Sequence, residues 1–415
     1  MTRILVITNM YPPHHYGGYE TTCDEVVARW REHGHEVHVL TSDWRLPDRP
    51  QQPEPHVTRT LRMYWHDHVI LHPSRPTRVR WELSNQRELR KALAGFRPDV
   101  VSVWHLGALS LAIVAKVLQR EVPIVFNVHD DWLVYGPGMD AWTRMFEGRP
   151  RFAHLTQRLT RVPANAPDLG AAGAFCFVSA ATREHAVNRS RWRFPLSTVV
   201  WNGIDPGVFR PTERDPRWRW RLLYAGRIDP RKGVDTVIRA MPGLPAEATL
   251  IVAGRGDDDY ARSLSQLAAE LGVSDRVTFT VLDRPDLVRT YAEVDAVVFP
   301  SRWQEPFGLV PVEAMACGTP VVATGTGGSA EFLADGVNCL LFDSEDVAIL
   351  NAQLQRLAND SALRARVVDG GYATAAELTI DRLADVLETW HVAAARGYPD
   401  GPPPDRSRPV ITRSR

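Results

Sequence analysis

The sequence is poor in lysine and has no long apolar run. Only Lys91, Lys116 and Lys232 are lysines, so arginine supplies almost all of the positive charge. No segment approaches the roughly 20 consecutive apolar residues that cross a bilayer. The first apolar run, RILVITNM, begins almost at Met1, without the cationic start and long apolar region of a signal peptide. We therefore expect a cytoplasmic protein.

Net charge and cysteine are also scarce. The chain has 49 basic and 49 acidic residues, so its overall charge gives no reason to expect nucleic acid as a partner. The four cysteines lie in or beside apolar runs, without the spacing of a metal site. This pattern predicts buried free thiols rather than a disulfide framework.

The apolar runs indicate an α/β protein with two domains. A chain of 415 residues exceeds what one core usually serves. Short runs rich in Val, Ile and Leu alternate with helical patterns, as a parallel sheet covered on both faces requires. They fall on both sides of a Gly-, Pro- and charge-rich linker at 201–220. The sequence thus predicts two doubly wound Rossmann-like domains, at 1–203 and 204–378.

Eleven of these runs are predicted to be strands. They are RILVITNM, EVHVLTS, PDVVSVWH, VPIVFNVHD, AFCFVS and STVVWN before the linker, and WRLLYAGR, ATLIVAG, RVTFTVL, DAVVFPS and TPVVAT after it. An apolar stripe at helical spacing predicts a further helix within 379–396. The Pro-, Arg- and polar-rich remainder, 397–415, predicts a disordered tail.

The most informative stretch is PSRWQEPFGLVPVEAMACG, from Pro300 to Gly318. Pro311 is tolerated only in a first helical turn, so a helix should begin near Phe307 to Val310. The N–H groups of that turn and the helix dipole form a site for phosphate or another anion. Glu313, one turn into the helix, can accept hydrogen bonds from ribose hydroxyls, and Glu305 faces whatever lies beyond the phosphates. The alternative is an ordinary turn followed by an exposed helical glutamate.

Two cations follow the first strand of the second half, in LLYAGRIDPRKGVDTVI. Arg227 ends the strand and Lys232 begins the next helix. Together they can hold a diphosphate and stabilise the charge that develops on it. The alternative for Lys232 is an exposed residue of the first helical turn.

These residues resemble the signature of the retaining, nucleotide-sugar-dependent glycosyltransferases of family 4, which have the GT-B fold. The family pairs two glutamates around Phe-Gly within PS..E.FG....EA.A.G.PV, and this sequence reads PSRWQEPFGLVPVEAMACGTPV. The family's GR....KG pattern coincides with Gly226, Arg227, Lys232 and Gly233. The resemblance implies two domains facing a crevice, with the helix at 379–396 crossing back to the first domain.

The resemblance also implies a nucleoside diphosphate sugar as donor and assigns roles to individual residues. The catalytic candidates are His129, Arg227, Lys232 and Glu305. The donor-binding candidates are Gly17, Gly18, Gly226, Phe307, Gly308, Leu309, Val310 and Glu313. No metal or other cofactor is expected, because the motifs offer cations and helix N-termini where metal-dependent transferases place aspartates.

Some of these positions also follow from the predicted sheet. Ligands of doubly wound folds lie beyond the carboxyl ends of the strands. Gly17 and Gly18 follow the first strand, and His129 follows the fourth. Asp130 or Asp131 would orient His129. A mobile loop and a packed histidine are the alternatives.

Two further segments are assigned to partners. The long aromatic segment after His129 suits acceptor recognition by Trp132, Tyr135 and Trp142, with burial in a local core as the alternative. The basic stretch Arg75–Lys91 is either a solvated helix face or a peripheral contact with anionic lipid at the inner membrane face. The acceptor stays open between a small molecule, a lipid-linked molecule and a glycan.

We therefore expect a retaining, hexosyltransferase-type glycosyltransferase that uses a nucleotide sugar such as a UDP-sugar. A nucleotide-sugar epimerase or a phosphorylase on the same fold is the alternative enzyme. The aromatic segment argues against the epimerase, and Lys232 in a diphosphate motif argues against a pyridoxal phosphate Schiff base. A non-catalytic sugar-binding protein is a third reading, against which the charges at Arg227, Lys232 and Glu305 argue.

Overall fold

The chain folds into two compact units. A computed structural model describes residues 1–47, 49, 54–67, 69–212, 214–215 and 217–404. Over the described residues, the first unit comprises Met1–Trp201 together with 383–404, and the second comprises Asn202–Arg382. Both contain a parallel sheet with helices between successive strands. The prediction of two Rossmann-like α/β domains is confirmed.

The first unit is built on a seven-stranded sheet, counted over the described residues. The strands of the whole unit, of which all but β4 and β5 belong to this sheet, are β1 (Arg3–Thr8), β2 (Glu36–Ser42), β3 (Val57–Leu61), β4 (Trp65–His66), β5 (Val69–Ile70), β6 (Val100–His105), β7 (Ile124–Val128), β8 (Ala174–Phe177) and β9 (Ser197–Val199). Its helices are α1 (Gly18–Glu32), α2 (Arg75–Phe96), α3 (Ala112–Leu118), α4 (Trp132–Met139), α5 (Pro150–Thr160) and α6 (Ala180–Arg189). The sheet order is β3-β2-β1-β6-β7-β8-β9, and β4 and β5 pair as a separate hairpin.

The second unit has a six-stranded sheet over the same described chain. Its strands are β10 (Arg221–Ala225), β11 (Thr249–Ala253), β12 (Val277–Thr280), β13 (Ala296–Phe299), β14 (Val321–Ala323) and β15 (Leu340–Leu341). Its helices are α7 (Val234–Ala240), α8 (Asp258–Glu270), α9 (Arg284–Glu293), α10 (Leu309–Ala316), α11 (Val347–Asn359) and α12 (Ser361–Glu377), and α13 (Ile380–Ala395) follows. The order is β12-β11-β10-β13-β14-β15.

The sheets explain why the central strands read as continuous apolar runs. Every residue of β6, β7, β8 and β13 is buried, because helices cover both faces of a parallel sheet. The strand order reverses between β1 and β6 and between β10 and β13. In such sheets ligands bind beyond the carboxyl ends of the strands at this switch point. Ligands are therefore expected near the loops that follow β1, β6, β10 and β13.

All eleven predicted strands appear, most of them shortened at their ends, and the four cysteines are buried as predicted. The strands that the sequence reading missed are β3, the hairpin and β15, which are short or lie at sheet edges. Helix α10 begins at Leu309, inside the predicted range. No helix among the described residues is both long and apolar enough to cross a membrane.

The C-terminal helix packs against the first unit from Leu383 onward. The Trp30 indole donates to the carbonyl of Ala384 at 3.1 Å, and His391 Nε2 lies 2.8 Å from Ser102 Oγ. The expected disorder from 397 onward needs correction, because residues 397–401 form a turn after α13 in which the Tyr398 N–H donates to the carbonyl of Ala393. The rest of the expected tail, from 405, lies outside the described residues.

Candidate active site

The loop between β13 and α10 enters the helix through a backbone conformation that favours glycine. Gly308 caps α10 at a φ of 96°, a left-handed conformation that side-chain-bearing residues rarely adopt. The preceding Phe307 is buried, with its ring 5.0 Å from that of Phe332. Phe307 therefore anchors the loop, and the backbone at Leu309 and Val310 forms the first turn of the helix.

Lys232 and Glu305 form a half-buried ion pair. Lys232 Nζ lies 2.6 and 2.9 Å from the two carboxylate oxygens of Glu305, and the side chains are only 16% and 5% exposed. The Ser301 hydroxyl donates to the same carboxylate at 2.5 Å, and the Lys232 ammonium lies 5.2 Å from the centroid of the Trp303 ring. The two candidate residues are thus brought together, and they are held in a defined geometry.

The turn that carries Lys232 is tied to the same loop. Lys232 lies in a 3-10 turn, Pro230–Lys232, that precedes α7, so the expectation that it begins the helix is corrected. Gly233 follows with a φ of 69°, and a Cβ there would come within 2.1 Å of the Pro300 carbonyl oxygen. Glycine after Lys232 is therefore required for the turn to lie against the loop.

The second glycine turn, after β14, closes on Glu305. The Gly328 N–H donates to the Glu305 carbonyl at 2.6 Å. Gly327 has a φ of 60°, and a Cβ there would lie 2.4 Å from the same carbonyl oxygen. Close backbone approach explains why TGTGGS carries glycine at this point.

Arg227 and Glu313, the other two charged candidates of this unit, contact other residues. Arg227 follows Gly226, whose φ is 139°, and its half-exposed side chain comes only to 3.9 Å from Asp229. Asp229 instead bonds the Arg231 guanidinium at 2.6 Å, and this hydrogen bond lowers the pKa of Asp229 to about 2. Glu313, one turn into α10, accepts from the Tyr291 hydroxyl at 2.8 Å.

In the first unit, Gly17 makes room for a buried carboxylate. Gly17 caps α1, which begins at Gly18. A Cβ on Gly17 would lie 2.7 Å from Glu20 Oε2. Glu20 is 2% exposed, burial raises its pKa, and its Oε2 has no partner among the described residues. The sequence reading missed this residue, which the Gly-Gly pair before it could have indicated.

His129 directly follows β7, as predicted, and it is stacked rather than exposed. Its ring lies 4.9 Å from that of Trp104, and its Nδ1 is buried without a partner in the described structure. Burial lowers the pKa of His129 to about 4, so the imidazole is neutral near pH 7. Asp130 bonds His105 and Tyr135, and Asp131 lies 4.0 Å from His185. The orienting role of Asp130 or Asp131 toward His129 stays a prediction.

Asp130 instead joins His105, which the sequence reading overlooked. His105 ends β6, and its Nδ1 accepts from the Gly107 N–H at 3.2 Å, so Nε2 carries the proton. That nitrogen lies 3.0 Å from Asp130 Oδ2, and the Tyr135 hydroxyl donates to the same oxygen at 2.6 Å. Burial alone would raise the pKa of Asp130, but His105 and Tyr135 hold it below its usual range. A histidine at the end of a central strand was the available signal.

The aromatic segment divides into core and surface. Trp132 and Trp142 are completely buried, and the Trp142 indole donates to the Pro163 carbonyl at 2.7 Å. Neither ring is available to stack on an acceptor, so the expectation is corrected for both in favour of the local-core alternative. Tyr135 is 39% exposed and lies beside His105 and Asp130.

One group of described residues has the spacing of metal ligands, and it lies elsewhere. His33, Asp385 and Glu388 bring ligand atoms within 4.8 Å of one another. His33 precedes β2, at the amino end of the sheet, whereas Gly17, His105 and His129 follow carboxyl ends. Glu388 already bonds His33 at 2.5 Å and His35 at 2.9 Å.

Both units match known glycosyltransferase families. The sequence profile of Glycosyltransferase Family 4 matches residues 16–208, and that of Glycosyl transferases group 1 matches residues 210–374. The chain belongs to glycosyltransferase family 4. The first profile covers the sheet of the first unit from β2 onward and the second covers the whole sheet of the second unit, so the assignment rests on both halves of this family 4 protein.

Individual relatives agree with this family. Over 174 residues, 39% of this chain, the sequence is 42% identical to the D-inositol 3-phosphate glycosyltransferase of Mycolicibacterium smegmatis, and the chain spans only 39% of that protein's length. Sucrose-phosphate synthase from Thermosynechococcus elongatus is similar in structure, with a TM-score of 0.71 at 22% identity, covering 94% of this chain and 98% of that one. Anabaena HepE in complex with UDP and glucose has a TM-score of 0.63 at 20% identity, with the same coverage. The fold of the family 4 protein is therefore GT-B.

Proposed function

We propose that the protein transfers a sugar from a nucleoside diphosphate sugar to an acceptor hydroxyl with retention of anomeric configuration. The main support is the cluster in the second unit. There the Lys232–Glu305 ion pair lies against two glycine turns and the loop that leads into α10. A cation, a carboxylate and helix N–H groups are what a sugar diphosphate requires.

In this proposal the second unit manages the charge of the leaving group. The sugar C1–O bond to the diphosphate breaks and a bond from the acceptor oxygen forms on the same face of the sugar, while the acceptor proton leaves with a phosphate oxygen. Lys232, Arg227 and the N-terminus of α10 stabilise the negative charge that grows on the diphosphate. Glu305 accepts hydrogen bonds from donor-sugar hydroxyls, and Glu313 accepts them from ribose.

His129 contributes a hydrogen bond rather than a proton transfer. Because burial lowers its pKa to about 4, it is a weak base and a neutral group over the physiological pH range. Its unpartnered buried Nδ1 has a hydrogen bond to offer to the donor sugar. A buried polar atom without a partner is costly in the free protein, and a bound hydroxyl would satisfy it.

Similar proteins suggest which donor and which acceptor to test first. UDP is the first donor nucleotide to test, because HepE on the same fold was solved with UDP and glucose. A phosphorylated polyol joins the small-molecule, lipid-linked and glycan acceptors, because of the inositol phosphate enzyme in the family. For Arg75–Lys91 the solvated helix face is favoured over peripheral contact with an anionic membrane, because Glu88 accepts hydrogen bonds from both Arg87 and Lys91.

The phosphorylase alternative has little support. It would need Lys232 as the Schiff-base amine for pyridoxal phosphate, and this nitrogen is bound between Glu305 and the Trp303 ring. An ammonium held by a carboxylate is a poor nucleophile. The epimerase alternative is separated by its product, since it would return a nucleotide sugar without consuming an acceptor.

The experiment is a donor and acceptor screen. The protein is incubated with UDP-, GDP- and ADP-sugars, and thermal protection by each is measured with and without acceptors that include inositol phosphate. NMR of the product then reports the anomeric configuration. Glu305→Gln tests the role of the carboxylate, because it keeps the size of the side chain and removes its charge. Sugar transfer with retention that Glu305→Gln abolishes supports the proposal, and an inverted product, or turnover without an acceptor, contradicts it.

A further inference from the structure

Helix α5 exposes large apolar side chains on one face. Phe152, Leu155 and Leu159 are 46%, 53% and 75% exposed, and their spacing of three and four residues puts them on the same side of the helix. The opposite side is fixed to the protein through Ala153, which is completely buried. An exposed apolar strip of this kind marks an interaction surface.

The same helix is strongly basic. From Arg149 to Arg161 the chain has four arginines and no acidic residue. Arg151 and Arg158 are exposed and lie one helical turn on either side of Leu155. Their long side chains can extend beside the apolar strip and place the guanidinium groups at the level of lipid phosphates while the leucines enter the acyl layer.

The surface continues into a neighbouring groove. Phe152 stacks on Phe146 at 5.4 Å, and the 3-10 turn Thr143–Phe146 carries Arg144 and Met145 into a cavity of about 420 Å³. The cavity is also lined by Ile70 of the β4–β5 hairpin, which is 43% exposed. Apolar and cationic groups therefore lie on both α5 and the groove, whose lining includes one acidic residue, Glu147.

We propose that α5 docks the protein on an anionic lipid bilayer, lying in the plane of the headgroups with Phe152, Leu155 and Leu159 inserted. Charge complementarity favours this partner over a second copy of the chain, because the two arginines within α5 and the two that flank it would repel the same four charges of a copy. The basic helix α2 is a weaker site. Leu83 is its only large apolar side chain that the described residues leave strongly exposed, at 40%.

The test is co-sedimentation of the full chain with vesicles of phosphatidylcholine alone and of phosphatidylcholine mixed with phosphatidylglycerol. We expect binding to the anionic vesicles only, weakening as salt is added. Leu155→Ser/Leu159→Ser and Arg151→Glu/Arg158→Glu should each reduce binding at least about tenfold, since apolar insertion and charge both contribute. Both pairs are exposed, so thermal unfolding should be unchanged.

The matched control is Arg80→Glu/Leu83→Ser on α2, which makes the same kinds of change on the other basic helix. It should bind vesicles as the unmodified chain does. Equal binding by the α5 variants, selective loss in the α2 variant, or equal binding to neutral vesicles would overturn the proposal. Sedimentation velocity covers the remaining partner: concentration-dependent dimers that Leu155→Ser/Leu159→Ser abolishes, without vesicle binding, would assign the surface to a second copy.

Discussion

At the scale of single residues, Lys232 has the most defined surroundings of the candidate catalytic groups. Its ammonium contacts both oxygens of Glu305 and lies over Trp303, whose ring also stacks with Arg231 at 4.6 Å. A compact ammonium fits between a carboxylate and an indole, whereas a guanidinium is broader, planar and needs a fork of acceptors. The position is thus shaped for lysine in a chain that uses arginine almost everywhere else.

Lys232→Arg should therefore keep the fold and lose activity. We expect kcat/KM for sugar transfer to fall, because the variant should lose about 2–4 kcal/mol of transition-state stabilisation, the scale of one preorganised charge contact. The Tm should be unchanged. Lys91→Arg is the control, because Lys91 is 64% exposed on α2 and pairs with Glu88 of the same helix. Full activity of Lys232→Arg at full stability would remove its role at the diphosphate.

His129 and Glu313 should affect different kinetic parameters. Glu313→Ala should raise KM for the donor roughly tenfold, because a ribose contact acts in ground and transition states alike. His129→Ala should lower kcat by about 100-fold or more with little change in KM, because it contacts the reacting sugar. Since the pKa of His129 is about 4, kcat should show no step from this group between about pH 5 and 8.

The control for Glu313 is Tyr291→Phe. It removes the hydroxyl that donates to Glu313 and keeps the carboxylate, so any loss of packing at this position appears in both variants. A donor KM that rises as much in Tyr291→Phe as in Glu313→Ala would make Glu313 a structural residue. If both alanine variants changed kcat and KM equally, the proposed division of roles would be wrong.

At the scale of elements, the glycine turn after β14 supports the Glu305 loop. Gly327→Ala should cost stability and lower activity at least about tenfold, since the new Cβ must displace the Glu305 carbonyl in addition to adopting a positive φ. The matched control is Gly336→Ala. Gly336 has nearly the same φ, 67°, but a Cβ there would have no heavy atom within 4 Å. It should cost only about 1–2 kcal/mol of stability and leave kcat unchanged, and equal loss of activity in the two variants would refute the supporting role.

The C-terminal helix should dock in a pH-dependent way. The hydrogen bond between His33 and Glu388 raises the pKa of His33 above 6.5. This contribution to stability is therefore present below pH 6.5 and is lost as the pH rises through the raised value. Burial alone would raise the pKa of Glu388, but bonds from His33 and His35 hold it below 4.5, a contribution present above pH 4.5 and lost as pH falls through the lowered value. The full stabilisation therefore lies between pH 4.5 and 6.5.

Glu388→Gln tests this window through thermal unfolding. Its Tm should fall below that of the unmodified chain by roughly 1–3 °C more at about pH 5.5 than at about pH 8.5, because the pair is partly exposed and screened. Glu377→Gln is the control, since Glu377 is exposed and pairs with an arginine instead of a histidine. A Tm difference that is the same at both pH values would contradict the coupling.

At the scale of the whole molecule, strand patterns and loop motifs predicted the architecture because each is a local property. Parallel strands covered on both faces must be apolar throughout, so they could be found by reading along the chain. Burial of Trp132 and Trp142, and the partnership of Asp130 with His105, depend on which segments meet in space. An aromatic segment reads the same whether its rings face a ligand or a local core, and no spacing links residues 25 positions apart.

Metal independence is the prediction that involves the whole chain. Three consecutive aspartates, Asp257–Asp259, stand at the start of α8, where they could hold an ion. However, Asp257 caps α8 by accepting from the Tyr260 N–H at 2.8 Å, and Asp259 pairs with Arg262. We expect chelator treatment to leave sugar transfer unchanged and added Mg²⁺ or Mn²⁺ to have no effect, since Lys232, Arg227 and α10 supply the positive charge that a metal would otherwise provide. The His33, Asp385 and Glu388 cluster makes a control necessary, because an ion bound there would change stability at the other end of the first sheet. A chelator effect on Tm that disappears in His33→Ala belongs to that cluster, whereas loss of activity that a divalent ion restores equally in His33→Ala would show that the reaction itself needs a metal.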